Sequence, residues 1–463
     1  MILIVSKVRL ESILAFASNS VKQKKLSTFD LKYKLKMLTS ILKFKLGILA
    51  QMYLRRYQPV IIGVTGNVGK TSTKEMIGAI LKDFKTVRVS AGNLNNDFGI
   101  PLTIFGGFDD EYYTNGPSPW FWAKVLWVSF FRLIFNSEYP QALVLEYGAD
   151  HPGDIKKLVL KYRPHISVIT SVGEIPVHVE FFKDADALAD EKSNLIKCLT
   201  ENDFAVLNIE DERVRKMEDR TRAKVITYGQ SKNADVWASD LEIQMSETGH
   251  PLGVTFKINK GESLAPVKIE GSLGRSQALS AAAATAVGLT LSRNMAEISN
   301  SLRSYKGPKG RLKILSGINN SHIIDDTYNA SPASTRLALE TLREVPALRK
   351  IAVLGDMLEL GDYSERAHQE IGRLAAQVAD VIICVGEQSK HIADSAYQVL
   401  PVYVFETSDQ AKDKVKELIR EHDLILIKGS QSMRMEKIVV EILADPQQAS
   451  QLLVRQSRRW RSK

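Results

Sequence analysis

The sequence predicts an α/β protein of three parts. A short basic helical segment comes first, then a central domain of the P-loop type on a mostly parallel sheet, then a Rossmann-like domain. Three observations predict this. Short apolar runs alternate with helical patterns from Val60 onward. The alternation restarts after KGPKGR, 306–311. Before Pro59 the apolar residues recur at helical spacing among lysines. The expected divisions are 1–58, 59–307 and 308–463, with an aromatic insertion near 108–139. A chain of 463 residues fits this count, at roughly 150 residues per domain.

Residues 1–58 hold twelve Lys and Arg against two acids, Glu11 and Asp30, although the whole chain carries only +9. The rest is therefore near neutral, and the basic character belongs to one segment. Such a segment meets phosphate, on lipid or on nucleic acid. The aliphatics interleaved in LTSILKFKLGILAQMYL, 38–54, fit membrane or protein contact better, so no nucleic-acid partner is expected. No run reaches the ~20 apolar residues expected of a bilayer span. The start MILIVSKVRL is apolar before it is basic and reads poorly as a signal peptide.

From Pro59, VIIGVT reads as a buried strand, GNVGK as a loop, and TSTKEMIGAILKDF as a helix with Met76, Ile77, Ile80, Leu81 and Phe84 on one face. ALVLE (142–146), ISVITSV (166–172), AVLNI (205–209) and KVITY (224–228) read as further strands. Residues 235–271 read as an antiparallel extension, closed by the Ala-rich helix SQALSAAAATAVGLTL. In the last part HIID, KIAVLG, VIICVG, PVYVF and LILIKG read as strands. It has no GxGxxG after its first strand, so no dinucleotide is expected there.

One stretch breaks this order. SPWFWAKVLWVSFFRLIFN, 118–136, gathers three Trp and four Phe around Lys124 and Arg132. Trp and Phe beside basic residues suit a membrane interface. A buried helix or a subunit contact would carry the same pattern. Two cysteines, Cys198 and Cys384, in no CxxC spacing, exclude a disulfide framework and a cysteine zinc site.

The chemistry concentrates in Gly66-Asn67-Val68-Gly69-Lys70-Thr71. A Gly-rich loop between strand and helix wraps phosphate with backbone N–H groups, Lys70 adds charge, and the helix start adds its dipole. Ser72 follows on the same turn. The strict GxxxxGK[ST] pattern wants Gly where Val64 stands, so this is a shortened form. The hydroxyl of Thr71 and the strand-end carboxylate Glu146 are candidate Mg²⁺ ligands. His178 is a further candidate.

GVTGNVGKTSTKEM, GNLNNDFGIPLT, LVLEYGADHPGDI, DDTYNASPAST, VLGDMLELGDYSERAH and IKGSQSMRMEKIV resemble the motifs of the ATP-dependent Mur ligases, from about Val60 to Leu443. Within that family they are most similar to the branch that joins D-Ala-D-Ala to a UDP-muramoyl tripeptide. The resemblance implies an amide-forming enzyme working through an acyl phosphate, with ATP and two Mg²⁺. It implies Lys70 on the β- and γ-phosphates and Thr71 and Glu146 on the first metal. His178 would support a second metal, and Lys192, in ADEKSNLI, would be carbamylated. Arg311 and Asn329 would contact the nucleotide from the last domain. Gln277, in GRSQ where the family pattern differs, would face adenine. Asn95, Asn96, Lys428 and Arg434 would lie near substrate. Asp325 and Asp326 would be structural or hinge residues.

The resemblance also marks departures. Residues 1–58 stand where the family has a mixed α/β domain for the UDP-sugar, and 118–136 is an insertion. These predict a monomer in the cytoplasm, peripheral on the inner membrane face, with UDP-muramoyl-peptide and D-Ala-D-Ala as its small-molecule partners. An amide ligase acting on another envelope or amino-acid-polymer substrate, and a membrane-associated nucleotide-binding scaffold without catalysis, are the competing readings. The full set Lys70, Thr71, Glu146, His178 and Lys192 speaks against the scaffold.

Overall fold

A computed structural model describes residues 28–175 and 181–461. Residues 1–27 of the basic segment, and His178, lie outside the described residues. The chain divides into two compact units, Met1–Ile48 and Leu49–Lys463.

In the first unit the described residues are helical, as part of the helix Thr28–Tyr57. This corrects the expectation that no stretch suits a bilayer. Tyr33–Tyr57, 25 residues, is long and apolar enough to cross a membrane by length and composition. The lysines at 43 and 45 break the apolar run in the sequence. A helix tolerates such isolated lysines, because their stems lie along apolar surface while the charge reaches water.

The second unit contains two sheets. The first has nine strands in the order β2-β3-β1-β4-β5-β6-β7-β8-β9. They are β1 Val60–Thr65, β2 Val87–Val89, β3 Ala142–Glu146, β4 Ile166–Ile169, β5 Phe204–Asn208, β6 Lys224–Gly229, β7 Val236–Met245, β8 Pro251–Lys260 and β9 Ser263–Glu270. The pairs from β2 to β7 are parallel, and β7-β8-β9 is the antiparallel extension. Strands β3 and β4 are buried along their whole length, as continuous apolar runs of a covered parallel sheet should be. The helix Arg275–Thr290 buries its alanines against this sheet, where small side chains permit close approach.

The second sheet runs β10-β11-β15-β12-β13-β14. Its strands are β10 Lys313–Ser316, β11 His322–Asp326, β12 Lys350–Gly355, β13 Val381–Val385, β14 Val402–Phe405 and β15 Leu424–Lys428. All pairs are parallel except β10-β11. Strands β2 and β10 escape sequence reading because they are short, three and four residues, and only partly buried.

In both sheets the parallel strands end on one edge, which is where open α/β sheets place ligands. In the first sheet that edge carries the Gly66 loop and Glu146. In the second it carries Asp326 and Lys428.

Candidate active site

Strand β1 delivers the chain into the Gly66–Gly69 loop and then into the helix Lys70–Leu81. Gly66 has φ 140°, and a Cβ there would stand 2.0 Å from the Thr170 hydroxyl. Only glycine fits this turn. Gly69, at φ 88°, precedes the helix and offers no side chain to cap it. The first-turn N–H groups, which have no partner inside a helix, are left for an anion. The loop is pinned from β4's far end: Asn67 N–H donates to the Ser171 carbonyl at 2.6 Å, and Val68 N–H to the Ser171 hydroxyl at 3.3 Å.

Three sequence-expected residues converge on this loop. The ammonium of Lys70 folds back to the carbonyl of Gly66 at 2.7 Å. The ammonium of Lys192, from the helix Ala185–Lys197, donates to the same carbonyl at 3.3 Å and is buried. Glu146 ends β3, in register with Val64 of β1, and is buried. Burial drives Lys192 down to about 7, with Lys70's charge adding to the effect. Burial also lowers Lys70, with Glu146 opposing and Arg311 reinforcing the shift. Burial pushes the Glu146 carboxyl up, but Lys74 and Lys70 outweigh it and hold it below the usual carboxylate range.

Lys74 was not visible as a site residue. It is fully buried, 3.1 Å from Glu146 Oε2, and donates to the Gly92 carbonyl at 2.6 Å. It sits one helical turn after Lys70, and a lysine on the buried face of an apolar helix was the signal. Asn95 Nδ2 donates to Glu146 Oε1 at 3.2 Å. Glu146 Oε2 is buried, and its close neighbour among the described residues is the Lys74 ammonium.

The other expected residues fall in different places. Arg311 lies with its guanidinium 4.1 Å over the Tyr328 ring, and its buried Nε has no hydrogen-bond partner among the described residues. Its charge is felt at both Lys70 and Lys428. Asn329 is exposed; its side-chain oxygen accepts from Gln431 N–H at 3.3 Å. Gln277 is buried and accepts from the Tyr305 hydroxyl at 3.3 Å. Thr71 is half-buried on the first turn of the loop's helix, and Ser72 is buried behind it.

Asn96 accepts from the N–H groups of Phe98 and Gly99, both at 3.1 Å, and so caps the helix Gly99–Phe105. Lys428 ends β15 opposite Asp326 of β11, with 2.5 Å between Nζ and Oδ2, and donates to the Asn329 carbonyl at 2.9 Å. Arg434 donates from Nε to Glu436 at 2.6 Å. Each of these three groups, which the resemblance places near substrate, has a local partner here.

Known proteins match the chain over both sheets. The Mur ligase middle domain model matches residues 64–112 and 131–288, and the Mur ligase glutamate ligase domain model matches 310–431. A UDP-N-acetylmuramoyl-tripeptide–D-alanyl-D-alanine ligase of Bacillus subtilis is 30% identical over 403 residues, covering 86% of this chain and 79% of the relative. The crystal structure of MurF from Acinetobacter baumannii aligns with a TM-score of 0.71 at 26% identity, covering 86% and 80% of the two chains. MurF from Thermotoga maritima in complex with ADP gives 0.69 at 25% identity, covering 86% and 82%.

Proposed function

The chain belongs to the Mur ligase family, and from that premise we propose how its own residues carry out the family's reaction. It is an ATP-dependent ligase that forms an amide between a carboxylate and an amine. The reaction adds D-Ala-D-Ala to UDP-N-acetylmuramoyl tripeptide, a step of peptidoglycan assembly. The observation that carries the residue assignment is the convergence of Lys70 and Lys192 on the Gly66 carbonyl, beside Glu146.

The reaction first moves the γ-phosphoryl group of ATP onto an oxygen of the tripeptide's terminal carboxylate. ADP leaves, and an acyl phosphate remains. The amine of D-Ala-D-Ala then attacks the carbonyl carbon, phosphate departs, and the amine's proton goes to solvent. Two anions must meet in the first step, so catalysis is mainly positioning and charge compensation. The loop N–H groups and Lys70 hold the phosphates. Arg311 brings to the same region a guanidinium N–H that has no hydrogen-bond partner among the described residues, and its charge suits an anion. Asn329 and Gln277 lie on the nucleotide side of this assignment.

Mg²⁺ fits the residues present. Glu146 Oε2 is a buried carboxylate oxygen that accepts no hydrogen bond from the described residues and has the Lys74 ammonium 3.1 Å away. Thr71 and Glu146 would hold the first ion, and a carbamate on Lys192, with His178, the second. Bound there, Mg²⁺ would neutralise phosphate charge. Among the described residues no three His, Cys, Asp or Glu side chains cluster as a ready metal site. A carbamate supplies the missing carboxylate. At about 7, a large fraction of Lys192 carries a free amine at neutral pH. That lone pair attacks CO₂, the new N–C bond forms, and a proton is released to leave an anion.

We place the ligase in the cytoplasm as a monomer, peripheral on the membrane's inner face. The basic segment and the exposed apolar residues of the helix Thr28–Tyr57, namely Tyr33, Met37, Leu38, Ile41 and Phe44, support a contact that lies on the membrane surface. The test of the substrate assignment is a panel of peptide acceptors and amines read by mass spectrometry. The expected product is UDP-muramoyl pentapeptide from the tripeptide and D-Ala-D-Ala. Turnover only with another acceptor would move the assignment to a different envelope substrate.

A further inference from the structure

The helix Pro119–Phe135 is apolar on its outer side. Phe121, Val125, Ser129 and Leu133 are buried. At 100° per residue, the opposite face carries Trp120, Trp127, Phe130, Phe131, Ile134 and Phe135, and all six are exposed. Trp120 is 85% exposed and Phe135 75%. A helix on a water-facing surface puts polar residues on that side. A contiguous apolar patch of this kind marks an interaction site. The middle-domain match is interrupted over 113–130, so the family's catalytic pattern does not account for most of this helix.

Three observations identify the occupant. First, the helix contains no acid, and its charges are Lys124 and Arg132. Lys124 reaches Glu111 at 2.7 Å yet stays 55% exposed. Trp and Phe with basic residues are the composition of helices that lie in the headgroup plane of an anionic bilayer. Second, cations gather at its C-terminal end. Arg56 donates to the carbonyls of Leu133 and Ile134, and Arg55 is beside it in sequence. Third, the helix is hydrogen-bonded to the last turns of an apolar N-terminal helix. Tyr53 donates to the Ser129 carbonyl and Tyr57 to the Asn136 carbonyl, both at 2.7 Å. These tyrosines belong to the last turns of Tyr33–Tyr57, the stretch long and apolar enough for a bilayer.

We propose that the outer face of Pro119–Phe135 is a docking surface for an anionic lipid bilayer, lying in the interface with its aromatic rings below the headgroups. The inference rests on the peripheral-membrane reading above and deepens it by naming the surface. The three hydrogen-bonded residues Tyr53, Arg56 and Tyr57 tie the helix that carries this surface to the last two turns before Pro59. A substrate site on the Gly66 edge would then be held at a fixed orientation to the membrane.

The test uses the full chain. Purified protein is sedimented with vesicles of phosphatidylcholine and phosphatidylglycerol in equal parts, and with vesicles of phosphatidylcholine alone. The comparison protein carries Trp127→Glu and Phe131→Glu. Both residues are exposed, and their ring contacts are to other aromatics of the same helix, so soluble-substrate turnover of this variant should equal that of the parent and report intact folding. The expected result is binding to the anionic vesicles that falls roughly tenfold or more in the variant. Brominated lipid should quench parent tryptophan fluorescence, and Trp127→Phe should remove part of that quenching. Equal binding by parent and variant would overturn this surface and leave the membrane reading to the N-terminal helix. No binding by the parent would overturn both. Loss of a dimer in the variant, with lipid binding unchanged, would assign the face to a second copy and overturn the lipid proposal.

Discussion

Lys428 separates two accounts of the second sheet's ligand edge. The family resemblance puts it near an acidic substrate, whereas the structure pairs it with Asp326. Its side chain is 1% exposed and Asp326's 8%, and their charged atoms are 2.5 Å apart. Lys428→Met keeps most of the volume and removes the charge. Asp326 is then a buried carboxylate without its counter-ion, a loss worth about 3–5 kcal/mol. In the compact unit Leu49–Lys463, at about 2.1 cal/mol/K of unfolding entropy per residue, this lowers Tm by roughly 3–6 °C. Adding Asp326→Leu removes the stranded charge. Both variants lose the Lys428 bond to the Asn329 carbonyl, so what the second change adds is the Leu312 N–H, which donated to Asp326 Oδ1 at 3.3 Å. Leaving that donor unsatisfied costs about 1–3 kcal/mol. The double variant should therefore be more stable than Lys428→Met alone, by roughly 1–3 kcal/mol. Thermal unfolding of the four proteins in the cycle measures this. A Lys428→Met protein with unchanged Tm and a much raised KM for the muramoyl peptide would refute the structural assignment and restore the substrate role.

Other consequences follow from the same site. Lys192, lowered to about 7, is protonated below that value and cannot take up CO₂, so turnover should fall as pH drops through about 7 and recover with added bicarbonate. Lys192→Arg, always charged, should be inactive at every pH and indifferent to bicarbonate. Lys74→Met should unpair buried Glu146, lower stability by about 3–5 kcal/mol and weaken Mg²⁺-dependent ATP binding measured by calorimetry. His250 and His322 meet with ring nitrogens 3.2 Å apart, and burial together with His250 holds His322 down at about 4. A depressed histidine binds its proton in the unfolded chain first. Stability should be full above the ordinary value of about 6.5 and decline as pH falls toward 4. His250→Ala should flatten that decline in urea titrations. Asn96→Ala should remove a helix cap at a cost of about 1 kcal/mol, with KM unchanged if capping is its whole role.

The parallel strands were legible because each is a short apolar run with both faces covered, and Gly66–Thr71 because its residues have few other uses together. Charged residues inside apolar elements were harder to read. Lys74 looked like one more helix lysine, because sequence spacing does not reveal that its helix face meets Glu146. Asn96 looked like a polar loop residue open to substrate, and its partners are N–H groups two and three residues on. Lys428 ends its strand at a ligand edge, yet the register of β11 and β15 sets Asp326 directly opposite. The membrane-length character of Tyr33–Tyr57 was hidden by the two central lysines. The aromatic stretch 118–136 was equally compatible with burial. Only the structure separates its buried stripe from its exposed one.

The most direct test of the account is ADP release by the purified full chain with Mg-ATP, UDP-muramoyl tripeptide and D-Ala-D-Ala, each omitted in turn. The account predicts one ADP per amide formed, sustained turnover only when all three are present, and loss of both products in Lys70→Ala. Folded protein that binds ATP yet forms no amide, or that releases ADP at the same rate without D-Ala-D-Ala, would contradict it.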